Sequence, residues 1–194
     1  MAMLVLGLIL FLGIHSVRIV GDSQRSALVQ RLGANGYKGL YTVVSALGLT
    51  LIVWGYSLAR HDPIALWAPI AWARHLASLL TLVAFVLVIA AYVPGNGIKA
   101  RLHHPMVLGV KVWALAHLLA NHTLADVLLF GGFLLWAALS FRAARVRDRA
   151  AATVYPAGRA SMTALTIAVG ALLWAAFAIW AHPALIGVAV FGSR

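Results

Sequence analysis

Five long apolar runs dominate this chain, at about residues 2–20, 39–59, 75–94, 124–141 and 161–181. Each approaches the ~20 residues that a helix needs to cross bilayer hydrocarbon. Hydrocarbon offers no partner to a backbone N–H or C=O, so each such run must satisfy its own hydrogen bonds as a helix. A sixth, shorter run occupies about 104–120. The period-two alternation of a membrane barrel is absent, and no internal repeat emerges. The expected fold is all-α, a polytopic bundle of about six transmembrane helices, forming a single domain over residues 1–194.

Only 10% of the residues are charged, against about 25% in soluble domains. The net charge of +11 would point to nucleic acid in a soluble protein. Here the cations lie between apolar runs, where they suit anionic lipid headgroups instead. There is no cysteine, which excludes disulfides, thiolate metal sites and covalent c-type haem attachment. Four aspartates and no glutamate leave little for a dimetal carboxylate centre. The opening "MAMLVLGLILFLGIHSVRIV" lacks the basic flank and small-residue cleavage site of a signal peptide, and reads as a retained span.

Basic residues orient such a chain, because they concentrate on the cytoplasmic side. With six spans, one side collects Arg18, Arg25, Arg31, Lys38, Lys99, Arg101, Arg142, Arg145, Arg147, Arg149 and Arg159, eleven in all. The other side holds three: Arg60, Arg74 and Arg194. Both termini are therefore expected outside. A five-span chain would put the arginine-rich 142–159 segment outside as well. Trp67 and Trp72 on the outer side, with Tyr37, Tyr41 and Tyr92 near inner ends, fit interfacial anchoring.

Ionisable residues within spans are costly and mark candidate sites. Arg18 lies close enough to a span end to snorkel. His61, His103, His122 and His182 sit at helix ends or in loops, where histidine needs no special partner. His15, Lys111 and His117 remain, with His104 at a helix start. On a helical projection of 104–122, His104 and Lys111 share one side while Trp113, His117 and Asn121 fall nearly opposite. A helix polar on both faces is expected to be surrounded by others. His117 can bond Asn121 or a neighbouring helix; equally, His15 and His117 can form an axial pair for haem b.

The stretches "LFLGIHSVRIV", "RLGANGYKGLYTVVSALGL", "ARHDPIALWAPIAWARHLASLL" and "GNGIKARLHHPMVLGVKVWALAHLLANHTLADVLLFGGFL" resemble the NnrU family over nearly the whole chain. That resemblance implies a bacterial inner-membrane protein associated with nitrogen-oxide metabolism and denitrification, using nitrite or nitric oxide. More distantly, "HS" at His15–Ser16 and "HPMVLGVKVWALAH" resemble the haem b-containing 15-cis-zeta-carotene isomerases. This implies His15 and His117 as the axial ligands of haem iron, with His61 as a redox-linked switching ligand, in a haem-dependent isomerase or oxidoreductase. Nothing in the sequence points to a carotenoid. The "HP" at His104–Pro105 is also similar to the membrane isoprenylcysteine methyltransferases. It departs from their pattern at His103 and in lacking glutamate, which speaks against S-adenosylmethionine binding.

Two further classes stand beside the haem reading. The chain can serve as a non-catalytic accessory or assembly factor for nitrite or nitric oxide reductases. Alternatively, Lys111 facing His104 can attract a small anion in a transporter, although the paired broken helices of transporter folds are missing.

Overall fold

The computed structural model describes residues 1–70 and 72–191. Arg194, counted above with the outer charges, lies outside the described residues. Among the described residues there are eight α-helices: α1 (Ala2–Val20), α2 (Asp22–Ala59), α3 (Ala73–Tyr92), α4 (Gly97–Leu102), α5 (Pro105–Ala120), α6 (Leu124–Ala150), α7 (Ala160–Ala176) and α8 (His182–Ile186). A π-helical turn, Phe177–Ala181, joins the last two. Among the described residues there are no strands, only isolated bridges. Five helical stretches among the described residues are long and apolar enough to cross a membrane; Pro105–Ala120 is a shorter apolar helix.

The packing is that of a membrane protein. Of the sixteen buried apolar residues, eleven are alanine, whereas leucine, valine and isoleucine crowd the exposed surface. Lipid tails reward no burial of leucine against leucine, so helices associate through small residues that let backbones approach. The helices form two compact units, Met1–Ala68 with His122–Ala143, and Pro69–Asn121 with Ala144–Arg194.

In the first unit, α1 and α2 run antiparallel along a glycine seam. A Cβ on Gly7 would stand 2.6 Å from the Ile52 nitrogen, and one on Gly48 would stand 2.7 Å from the Phe11 nitrogen. At Gly55 it would collide with the Leu4 backbone. α6 joins this pair where Gly132 faces Leu12 and Phe133 meets Phe11. Its first turn is closed by a capping box. The Thr123 amide and hydroxyl donate to Asp126 Oδ2 at 2.9 and 2.6 Å, and the Tyr56 hydroxyl donates to Oδ1 at 2.6 Å.

In the second unit, Gly109 of α5 lies against the Ala84 carbonyl of α3, and Gly170 of α7 against the Val86 backbone. Trp174 donates its indole N–H to Thr81 at 3.1 Å. The turn between α3 and α4 is held by buried Asn96, whose amide donates to the carbonyls of Ala90 and Val93 while its oxygen accepts from the Lys99 amide.

Several boundaries differ from the sequence reading. Residues 22–38, expected as a polar loop, are helical apart from Gly33. Leu28, Val29 and Leu32 give this segment the i, i+1, i+4 apolar spacing that its charges obscure. At Gly33 φ is 72° and ψ 164°, a region open essentially to glycine alone. α6 continues past 141 to Ala150 as an arginine-rich extension. After the π turn, Pro183 stands in the first turn of α8, where its missing N–H has no intrahelical partner to lose, and the helix ends at left-handed Gly187. Within its unit α5 is flanked by α3 and not surrounded; Lys111, Leu115 and Leu119 line an exposed stripe.

Thermal unfolding in detergent should separate these glycines. Gly55→Val, which wedges the seam open, is expected to cost about 1–3 kcal/mol. Gly33→Ala meets no atom within 4 Å, yet should cost about 1–3 kcal/mol through backbone strain alone. Gly13→Ala in open space should be neutral or stabilising by up to about 1 kcal/mol. Equal effects at all three sites would contradict the seam.

Candidate functional site: a basic aromatic cleft around His15

His15 lies on the last turns of α1, with Ile14 and Arg18 on the same side. Its Nδ1 is 2.7 Å from the Phe11 carbonyl oxygen. A carbonyl can only accept, so Nδ1 carries the proton, and Nε2 of the neutral ring carries the lone pair. The ring is fixed on three sides: stacked on Phe11 at 4.2 Å, tilted against Tyr41 at 5.1 Å, and edge-on to Trp136 at 6.0 Å. Backbone hydrogen bonding of one ring nitrogen is how proteins orient a metal-ligating imidazole.

Around it opens a cleft of about 440 Å³, lined by Ile14, His15 and Arg18 of α1, Arg25, Tyr37, Lys38, Tyr41 and Thr42 of α2, and Trp136 of α6. The lining carries three cations and no carboxylate. Trp136 adds an unmet need: its indole N–H is buried without a hydrogen-bond partner. One turn along α2 from Tyr41, the Ser45 hydroxyl is likewise buried and unpaired. Orphaned buried donors are rare; both stand on the helices that wall the cleft, within the protein and not on its open face. An imidazole with its lone pair on Nε2, aromatic walls and a basic rim are the features that haem b, a planar apolar ring with two carboxylates, requires of a protein.

His117 of α5 repeats the arrangement in the second unit. Its Nδ1 is 2.9 Å from the Trp113 carbonyl, to which it donates, and its ring lies 5.2 Å from that of Trp113. The expected bond with Asn121 forms elsewhere: the Asn121 amide donates to the His117 backbone carbonyl at 2.8 Å and caps the helix end. Trp113 also lines a small apolar groove of about 240 Å³ with Ala84, Phe85, Val88, Gly109 and Val110. His61, exposed at the end of α2, bonds the Ser57 carbonyl through Nδ1 at 2.9 Å.

His104 and Lys111, two turns apart on α5, have different surroundings. Lys111 is exposed. His104 is the N-cap residue of α5, and its Nε2 donates to Asp148 Oδ2 at 2.8 Å. Tyr155 donates to the same oxygen at 3.0 Å, and Arg145 lies 3.7 Å from it. His103 is no ordinary loop histidine. It turns the chain between α4 and α5 with φ of 70°, in a γ-turn closed by His104 N–H to Leu102 C=O at 2.9 Å. Arg145 donates to its Nδ1, and Tyr155 stacks on its ring at 4.0 Å. Burial and the bond to the Asp148 carboxylate push the Tyr155 phenol up.

The family model described as "NnrU protein" matches residues 3–190. The chain belongs to the NnrU family. No curated protein and no solved structure matches it. Both the His15 cleft and the His103–Tyr155 cluster thus fall inside the portion that defines an NnrU-family protein, and the long apolar helices make it a multi-pass membrane protein.

The sequence pointed to His15 and to the histidines of α5, but Arg145, Asp148 and Tyr155 were missed and Trp136 was overlooked. In this NnrU-family protein Asp148→Asn should lower the Tm measured in detergent, because His104 and Tyr155 lose their charged acceptor. Asp148→Glu should recover part of the loss. An unchanged Tm in Asp148→Asn would show that the cluster contributes nothing to holding α5 to the α6 extension.

Proposed function

We propose that this NnrU-family protein is a haem b protein of the bacterial cytoplasmic membrane, with six spans and both termini outside, acting in nitrogen-oxide metabolism. The observation that carries the reading is the His15 cleft, where an oriented imidazole, aromatic walls and a carboxylate-free basic rim converge. By the resemblance to the carotene isomerases, His117 would supply the second ligand, and His61 would be the residue implicated in ligand switching. When bound, the iron supplies one-electron redox chemistry and affinity for diatomic ligands such as nitric oxide.

The chain's own residues then have defined tasks. The Phe11 and Trp113 carbonyls orient the two imidazoles by accepting from Nδ1. Phe11, Tyr41 and Trp136 fix the orientation of the His15 ring. The reaction class that follows is a haem-dependent oxidoreductase or isomerase. The partners that follow are anionic lipid at the basic loops and other membrane proteins of denitrification.

A reduced-minus-oxidised optical spectrum of the protein purified from haem-replete cells tests this directly. The account expects b-type bands in the wild type, with His15→Ala and His117→Ala each losing most of the bound haem. A spectrum without haem bands, or alanine variants that keep the wild-type haem content, would overturn it.

A further inference from the structure

The rim of the His15 cleft contains a feature that iron ligation alone leaves unused. Arg25 and Tyr37 are twelve positions apart, a separation of about 18 Å along an uninterrupted helix. Yet the Arg25 guanidinium carbon lies 5.6 Å from the centre of the Tyr37 ring. The kink at Gly33 bends Asp22–Leu32 out of line with the rest of α2 and shortens that separation to the reach of the two side chains. Arg25 therefore joins Lys38 on the lining of the same cleft, although Arg25 comes before the break and Lys38 after it.

Neither cation has a carboxylate within ion-pair distance among the described residues. Arg18, the third cation of the lining, is 3.9 Å from Asp22 and is partly balanced there. The uncompensated positive charge of the cleft is thus concentrated in Arg25 and Lys38. Arg25 is half-buried, which raises the strength of any anion contact above that of a fully exposed side chain.

We infer that Arg25 and Lys38 clamp the carboxylates of the porphyrin that His15 holds, and that the kink at Gly33 serves to bring Arg25 to them. The inference rests on the haem reading above and assigns its anion-binding half. The same two cations could instead meet only lipid phosphates, and the experiment separates these sources.

Haem-free protein in detergent is titrated with iron protoporphyrin IX and, separately, with its dimethyl ester, which keeps the ring and iron but carries no carboxylate. Absorbance of the bound porphyrin gives the affinity. The wild type is expected to bind the free acid at least about tenfold more tightly than the ester, the range of one or two charge-assisted contacts. Arg25→Gln with Lys38→Gln should abolish that preference while leaving ester affinity and the His15-ligated spectrum unchanged. Gly33→Ala should reduce it as Arg25→Gln alone does. Equal affinity of the wild type for both porphyrins, or a preference that survives in the double variant, overturns the clamp alone and leaves the two cations to lipid headgroups. Failure to bind either porphyrin overturns both the clamp and the haem reading.

Discussion

The backbone seam between α1 and α2 is the contact on which the candidate site depends. Leu4 meets Gly55, Gly7 meets Ile52, Phe11 meets Gly48, and one turn further His15 meets Tyr41. Each step of that ladder is set by the one before it. In a bilayer, apolar side chains gain nothing by leaving lipid for protein, so close van der Waals approach is what holds two helices in register. Side chains at Gly7, Gly48 and Gly55 would hold the helices apart and move His15 away from the aromatic walls and the cations of α2. The seam thus converts three glycines remote from any chemistry into the placement of one imidazole.

A second constraint acts at the helix ends, where backbone groups lose their intrahelical partners. Each unit meets it with side chains near a turn. Asn96 satisfies three backbone groups between α3 and α4, and Thr123, Asp126 and Tyr56 close the start of α6. Against this background of satisfied groups, the unpaired Trp136 N–H and Ser45 hydroxyl stand out, as does the positive φ of His103. Two of these three exceptions belong to the helices that form the His15 cleft. The third is held by Arg145 and Tyr155 beside Asp148, in a cluster that binds the start of α5 to the extension of α6.

Much of the helical layout was legible because hydrophobic run length is a local property. α1, α3 and α5 begin and end within a few residues of their apolar runs. The polar helix before Gly33 was not legible, since its arginines and serines read as loop and a single glycine gives no hint of its torsion angles. Arg25 and Lys38 were visible only as charges that orient the chain; their convergence on one cleft depends on the kink at Gly33. His15 could be singled out because a histidine inside an apolar run is costly. Trp136 could not, because a tryptophan in such a run is ordinary, and only the three-dimensional packing reveals that its N–H has no partner. The cluster at Asp148 was hidden for a related reason: Tyr155 and His104 are 51 residues apart and share one oxygen.

Ligation of iron by Nε2 of His15 is the central claim, and rescue by free imidazole tests it most directly. His15→Gly removes the ring and leaves space for a small ligand. The account predicts that this variant loses the b-type spectrum and that added imidazole restores it, in the ferric and the ferrous states alike. A His15→Gly protein that shows the wild-type spectrum without imidazole would contradict it.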